Sequence, residues 1–492
     1  MKHTKLLIRA IVAIAVVATL AIPASAYTAA DRQITNEKPP IQAFLDEGWI
    51  EQASGFWEAS RGINYVHIVD ENVVWASGYD GAGGGSAVQE FTRTINGGDL
   101  WEADTISTAP STGDSAMIYA IDENTAWVPI HSGNPQGIWK TSDGGSTLAR
   151  QETAAFSGSG SFPNIVHFWD ENVGWCQGDP IDGYYEMYTT TDGGTTWVRV
   201  PEANIPAPAG AGEYGVVGYY DVVGDTVWWG TQWNGGNGRV FKSEDRGLNW
   251  EVFDTPFPSG CYIDVRMRDA THGLAMDKRS GGSTLAETHD GGETWTMMSP
   301  AGSFYGYDIA YVPGTADTWI TTGAATGAAG ASYSVDGGLN WVAYPEVLDV
   351  QLLDCDFIEG GIGWAGSFNQ DEFTGGVYKY IPGQSEPALT IENIEGGRGV
   401  TATVKNVGTA DATNVEYTIS IDGGLFVTPK EGTGNLGVLA PGDSATISLS
   451  PIGFGLGIIT DKPQINFEVT CDEGASDDTF RSARILLFFV LM

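Results

Sequence analysis

The chain has 492 residues, 62 of them acidic against 24 basic, for a formal net charge of −38, with 42% hydrophobic and 11% aromatic residues. Such an acidic surface repels phosphate backbones, which excludes nucleic-acid binding, and this much apolar matter excludes a disordered acidic tail. The length accommodates two or three domains.

Lys2, Lys5 and Arg9 precede an apolar run from Ala10 to Ile22, followed by the small residues Ala24, Ser25 and Ala26. This order predicts a cleaved secretory signal over 1–26, since the run is too short to span a bilayer. Nothing later in the chain reaches the ~20 apolar residues of a transmembrane helix. The mature chain is therefore expected to be secreted or held at the cell surface, with a linker over 27–46. Cys176, Cys261, Cys355 and Cys471 lie far apart with no CxxC spacing, so a zinc site is unsupported. Export permits disulfides, and small buried thiols are the equal alternative.

A pattern Ser/Thr-x-Asp-x-Gly-x-x-Trp then recurs. It places Asn96, Gly98 and Trp101 in register with Asp143 and Gly145, where Leu148 replaces the tryptophan. Further copies are Asp192, Gly194, Trp197; Asp245, Gly247, Trp250; Asp290, Gly292, Trp295; and Asp336, Gly338, Trp341. The final positions are 47, 49, 53, 45 and 46 residues apart, a spacing that marks propeller blades. The motif's work is structural: the carboxylate accepts backbone N–H bonds in a tight turn, glycine takes a left-handed conformation, and tryptophan packs back on the blade. A strand-turn-strand landmark precedes each box, ending at Trp75, Trp127, Trp175, Trp228, Gly273, Trp319 and Trp364. These landmarks number seven against six boxes. The difference is resolved if residues near 47–60 supply the outer strand of the last blade, with Trp57 as its packing tryptophan. The prediction is an all-β chain: a seven-bladed propeller over 47–383 and an immunoglobulin-like sandwich over 388–492. The apolar run Ile485 to Met492 reads as its final strand, with a truncated anchor as the alternative.

The boxes resemble those of the BNR/Asp-box propellers, a superfamily that includes sialidases, other glycosidases, sortilin-type receptors and a photosystem assembly factor. The segments Tyr79 to Arg93 and Gly178 to Asp192 resemble a secreted BNR-repeat group common in Bacteroidetes. Lys405 to Val415 followed by Leu439 to Asp443 is similar to CARDB and related adhesion-type sandwiches, which implies a spacer or presenting module. A working arginine triad of the sialidase type is not expected, because the usual Arg-Ile-Pro start is absent and only Arg266 and Arg268 fall where they could line a channel.

In a propeller, loops entering each first strand and joining the second to the third gather at one mouth. The repeat maps Tyr79, Asp80, His131, Asp179, Asp182, Tyr184, Tyr185, Trp233, Asn234, Tyr305, Tyr307 and Asp308 to that mouth. Asp264, Asp354, Asp356, His67 and His167 map to first strands near the axis. Taken singly these are ordinary loop residues and satisfied core histidines; together they suit a glycan, with rings to stack on sugars and carboxylates to bond hydroxyls. Asp179 and Asp182 could hold calcium, which takes several oxygen ligands, or act as acid and base in glycoside cleavage. No cofactor is otherwise required. The leading expectation is a non-catalytic extracellular protein that binds a glycan or protein partner; the alternatives are a glycoside hydrolase and an assembly scaffold for exported proteins.

Overall fold

A computed structural model describes residues 48–491 apart from 159, 281–283, 383–386, 388, 407–409, 441, 456–461, 473 and 488. The expected leader and linker lie outside the described residues. The fold is all-β; helical backbone among the described residues is confined to 3-10 turns at Glu202–Asn204, Lys278–Ser280 and Pro345–Val347.

The repeat folds as an antiparallel four-strand meander. Arg61–Ile68 pairs with Val74–Asp80, which pairs with Glu90–Thr94, which pairs with Glu102–Thr105. The same meander recurs with first strands Tyr119–Ala120, Pro163–Phe168, Tyr214–Val223, Cys261–Met267 and Asp308–Tyr311. Asp354–Phe357, Gly363–Asp371 and Thr374–Ile381 form three strands of another unit. Its fourth is Gly48–Ala53, paired in register from Gly48 opposite Ile381 to Ala53 opposite Gly376.

Each box makes the turn its chemistry dictates. In the first, Thr94 Oγ1 donates to Asn96 Oδ1 at 2.8 Å and accepts from Gly98 N at 2.9 Å, while Leu100 N donates to Asn96 Oδ1 at 3.0 Å. Asp143, Asp192, Asp245, Asp290 and Asp336 repeat the carboxylate-to-backbone bond at 2.7–2.9 Å. Gly98, Gly145, Gly194, Gly247, Gly292 and Gly338 all have φ between 84° and 90°, a region costly for any residue with a Cβ. The box tryptophans Trp250, Trp295 and Trp341 donate Nε1–H back to the carbonyl of the turn glycine at 2.8–2.9 Å. The landmark tryptophans Trp75, Trp127, Trp175, Trp228, Trp319 and Trp364 are buried and pack between neighbouring units, as where Trp127 stacks on Phe168 at 3.6 Å.

One reading is corrected. Trp57 is 80% exposed, and Phe56 fills the interior in its place. After Ala53 the chain leaves the sheet through Gly55 at φ 75°, which turns Phe56 inward and Trp57 outward. The residue that ties this strand to its neighbours is Gln52, whose Oε1 accepts from Trp101 Nε1 at 3.0 Å and Trp364 Nε1 at 3.2 Å.

Beyond Leu389 two further antiparallel sheets share one apolar core, centred on Val404, Ile419, Ile465, Phe467 and Ile485. The apolar end expected as one strand is two, Arg484–Leu487 and Phe489–Leu491, paired with each other. Cys176, Cys261 and Cys355 are buried thiols.

Trp49 sits in the closing strand among Tyr344, Phe357 and Tyr380, with ring centroids 5.3–6.1 Å away. Trp49→Ala is expected to cost about 3–5 kcal/mol, and Trp57→Ala within about 0.5 kcal/mol. Thermal and denaturant unfolding of the two variants beside the parent checks this; equal losses would contradict the assignment of the two tryptophans.

Candidate functional site

First strands of neighbouring units are not joined in a common ladder at the axis, so their inner N–H groups need other partners. Aspartates on the same strands supply them. Asp354 Oδ2 accepts from Val66 N at 2.6 Å and Asp356 Oδ2 from Ile68 N at 3.2 Å. Asp308 Oδ2 accepts from Cys355 N at 2.9 Å, and Asp221 Oδ2 from Met267 N. Each bond crosses from one unit to another.

Between these strands lies a cavity of about 370 Å³. Rings line part of it. His67 and Tyr119 have ring centroids 4.3 Å apart, Tyr119 and His167 4.6 Å, and His167 and Tyr220 5.7 Å. Tyr65 lines it as well. Burial pushes His67 down to about 4 and His167 to about 3, so both imidazoles are neutral at ordinary pH. Charged groups share the lining: Asp221, Asp354, Asp356 and Arg266. Burial raises Asp221 and Asp354 and pushes Asp356 up to about 6.

Arg266 pairs with Asp264 at 2.8 Å and donates to the Tyr220 carbonyl at 2.8 Å. Lys278 pairs with Asp308 at 3.0 Å and lies 3.8 Å over the Tyr219 ring. Burial alone would raise the Asp308 carboxyl, but Lys278 and Arg266 outweigh it and hold Asp308 low. For Asp264 burial wins, and its carboxyl rises to about 7.

The residues singled out in the sequence divide among several places. Asp264, Asp354, Asp356, His67 and His167 do converge on the axis, and Asp308, expected at the mouth, joins them, buried and paired with Lys278. The cavity, however, takes in Val223, Arg268, Tyr311 and Phe357, at or beyond the last residues of first strands, so it faces away from the expected mouth. At that mouth Tyr79 and Tyr307 are exposed, 43% and 38%. Tyr305 is half-buried against Gly323 and Gly330, and Trp233 is half-buried among Gly210, Gly235 and Gly236. Asp80 holds its own loop, accepting from Ala82 N at 3.1 Å and Ser86 N at 2.7 Å. His131 stacks on Phe162 at 4.1 Å, and Tyr184 lies under the Arg199 guanidinium at 4.3 Å. Tyr185 is fully buried between Trp229 and Phe241, a core residue.

Asp179 and Asp182 part company. Asp179 accepts from Asn164 Nδ2 at 2.9 Å and Gly215 N at 3.2 Å, and burial pushes it up to about 6. Asp182 is exposed in a turn at φ 58°. Among the described residues no group of three or more His, Cys, Asp or Glu is arranged to hold a metal ion.

Tyr65, Tyr119, Tyr220, Asp221 and Lys278 were not picked out. For the first four a signal existed: polar or aromatic residues recurring on first strands that an ordinary packed core would fill with aliphatics. For Lys278 the signal was its place in a loop joining a second to a third strand.

No protein-family model matches the chain. The xyloglucanase Xgh74A of Acetivibrio thermocellus is 25% identical over 276 residues, which make up 45% of this chain and 31% of that protein. The chain therefore spans less than a third of the curated relative it matches. Among solved structures, YCF48 bound to D1 peptide matches with a TM-score of 0.50 and 16% identity, over 68% of this chain and 98% of that one. The GH74 enzyme of Niastella koreensis matches with a TM-score of 0.45 and 14% identity, over 88% and 68%. The likeness to YCF48 shows the fold, a β-propeller.

Asp356 titrates above its unfolded value, so the folded state binds the extra proton between about pH 4 and 6 and loses stability as pH rises through that window. Asp356→Asn keeps an acceptor for Ile68 N but removes the titration. Between about pH 4.5 and 7.5 the parent should lose about 1–3 kcal/mol relative to the variant. His67 and His167 act with the opposite sign, favouring the fold as pH rises, and cancel in the comparison. Melting temperatures of both proteins at the two pH values check this; parallel curves would refute the assignment.

Proposed function

We propose that the chain is an extracellular glycan-recognising propeller of the Asp-box type, with seven blades, an immunoglobulin-like module behind it, and the axial cavity as its sugar site. The observation that carries this is a cavity lined both by rings (Tyr65, Tyr119 and Tyr220, with His67 and His167 packed on Tyr119) and by Asp221, Asp354, Asp356 and Arg266. Aromatic faces suit the C–H faces of a pyranose, and oriented carboxylates suit its hydroxyls; a few polar groups in an otherwise ring-lined hollow are the usual composition of a small-ligand site. About 370 Å³ is room for one or two sugar residues. The partial likeness to a xyloglucanase supports a glycan as the ligand class. Seven first strands, the last of them in the unit that Gly48–Ala53 closes, support the blade count, and the leader-like start supports export.

Binding without turnover is the first reading, because each cavity carboxylate already serves the backbone of a neighbouring blade. Glycoside hydrolysis is the second, and one observation favours it. Asp221 and Asp356 lie on first strands of different blades, both line the cavity, and the charge of Asp221 is among the causes that raise Asp356. A carboxyl near 6 can serve as general acid while another acts as base or nucleophile.

Calorimetry with xyloglucan, cello- and manno-oligosaccharides, run beside a reducing-sugar assay, tests both readings. Tyr119→Ala should weaken binding by at least about 10-fold, the loss of one ring, measured well below a melting temperature that the lost packing on His67 and His167 also lowers. Saccharide release that disappears in Asp356→Asn would establish the hydrolase in place of the binder. Absence of both binding and release across the panel would remove the glycan reading.

A further inference from the structure

The axial cavity holds carboxylates whose charge nothing in the fold pairs. Asp221, Asp354 and Asp356 line it, and so do two cations, Arg266 and Arg268. Both arginines are engaged by carboxylates outside the lining. Arg266 pairs with Asp264 at 2.8 Å, and Arg268 with Asp269 at 3.1 Å and Asp317 at 3.2 Å. Lys278, behind the lining, pairs with Asp308 at 3.0 Å. Among the described residues no ion pair reaches Asp221, Asp354 or Asp356. Burial raises all three carboxyls and outweighs the lowering by Arg266. Asp354 is also short of a hydrogen bond. It is 5% exposed, and its Oδ2 accepts from Val66 N at 2.6 Å, but among the described residues no donor reaches its Oδ1. That oxygen belongs to a residue of the cavity lining, where a ligand can reach it.

This imbalance sorts the ligands that could enter. A chelated metal ion is disfavoured, because among the described residues no His, Cys, Asp or Glu group is arranged to hold one. The rings of Tyr65, Tyr119 and Tyr220 share the lining, and an aromatic face attracts an ammonium within about 6 Å of its centroid. His67 and His167 are neutral, because burial lowers both, so neither repels a cation. A neutral sugar leaves the carboxyls without a counter-charge, and a sugar acid adds a further negative charge to them. An organic ammonium does the reverse: it draws the raised carboxyls into their ionised form and meets rings and carboxylates in one space.

We propose that the axial cavity selects a ligand carrying an ammonium group, and that the sugar it seats is an amino sugar with a free amine, of the glucosamine type. Asp354 and Asp356 accept from the ammonium, and the tyrosine rings pack on it. Naming a sugar rests on the glycan reading; naming the charge rests on the cavity alone.

Titration calorimetry on the full chain, with the disaccharides of glucosamine, N-acetylglucosamine, glucose and galacturonic acid and with choline, tests this. A chain of charge −38 draws any cation to its surface, so binding is measured at about 0.5 M NaCl, where that attraction is screened, and at about pH 6.5, where a sugar amine is charged. The glucosamine disaccharide should bind at least about 10-fold more tightly than its N-acetylated counterpart or the glucose disaccharide, and the galacturonic acid disaccharide most weakly. Asp354→Asn keeps an acceptor for Val66 N, and Asp356→Asn one for Ile68 N; either should bring that preference to within about 3-fold. Asp104→Asn, at an exposed position on an outer strand, should leave it unchanged. Melting temperatures of the variants separate lost selection from lost folding. Equal affinity for glucosamine and N-acetylglucosamine overturns the charge assignment and leaves the glycan reading standing. Choline binding that the two cavity variants abolish, with no saccharide bound, upholds the charge and removes the sugar. Failure of glucosamine and choline alike to bind, or a preference that survives both cavity variants, overturns the proposal.

Discussion

Backbone groups at the centre of the propeller need hydrogen-bond partners that no sheet ladder supplies, and the rest of the axis follows from how they are met. Aspartates at Asp221, Asp308, Asp354 and Asp356 reach across to N–H groups of other units. Meeting that need with carboxylates brings buried negative charge, which is costly unless compensated. Arg266 and Lys278 answer part of it through Asp264 and Asp308. The remainder appears as raised carboxyls in the cavity lining. The same groups thus hold the units together and give the hollow between them its chemical character.

At the outer rim the solution differs. Box carboxylates are exposed or half-exposed, and hydrogen bonds from turn side chains and N–H groups hold them low: Asn340 brings Asp336 to about 2, Thr147 lowers Asp143, and the Thr196 N–H lowers Asp192. Water solvates whatever lone pairs remain, so these aspartates organise turns without any counter-cation. Aspartate is therefore the commonest polar element in both places, yet it is ionised and hydrated at the rim and desolvated at the axis.

This difference explains what could be read from the residues alone. Box spacing, the landmark tryptophans and the strand near the amino end were legible because each depends on a few neighbouring residues repeated many times. Trp57 was misplaced because its motif likeness to Trp101 ignored the single glycine, Gly55, that reverses which of two adjacent aromatics faces inward. The axis was half legible. His67, His167, Asp354 and Asp356 stood out as polar residues on inner strands, whereas Lys278 arrives from a turn and meets Asp308 only through tertiary packing. The hollow itself faces away from the expected mouth, at the ends of first strands, a placement no local pattern encodes.

The pairing of Gly48–Ala53 with Thr374–Ile381 also sets a timetable for synthesis. The strand made first has no partner until residues more than 300 positions later have been translated, an interval of roughly 15–65 s at ordinary elongation rates. Until then both edges of the growing array stand open to stray strands. A nascent chain of this design depends on helpers or on speed to keep those edges apart from other proteins, and its last unit locks the whole only when the polypeptide has doubled back to its own beginning.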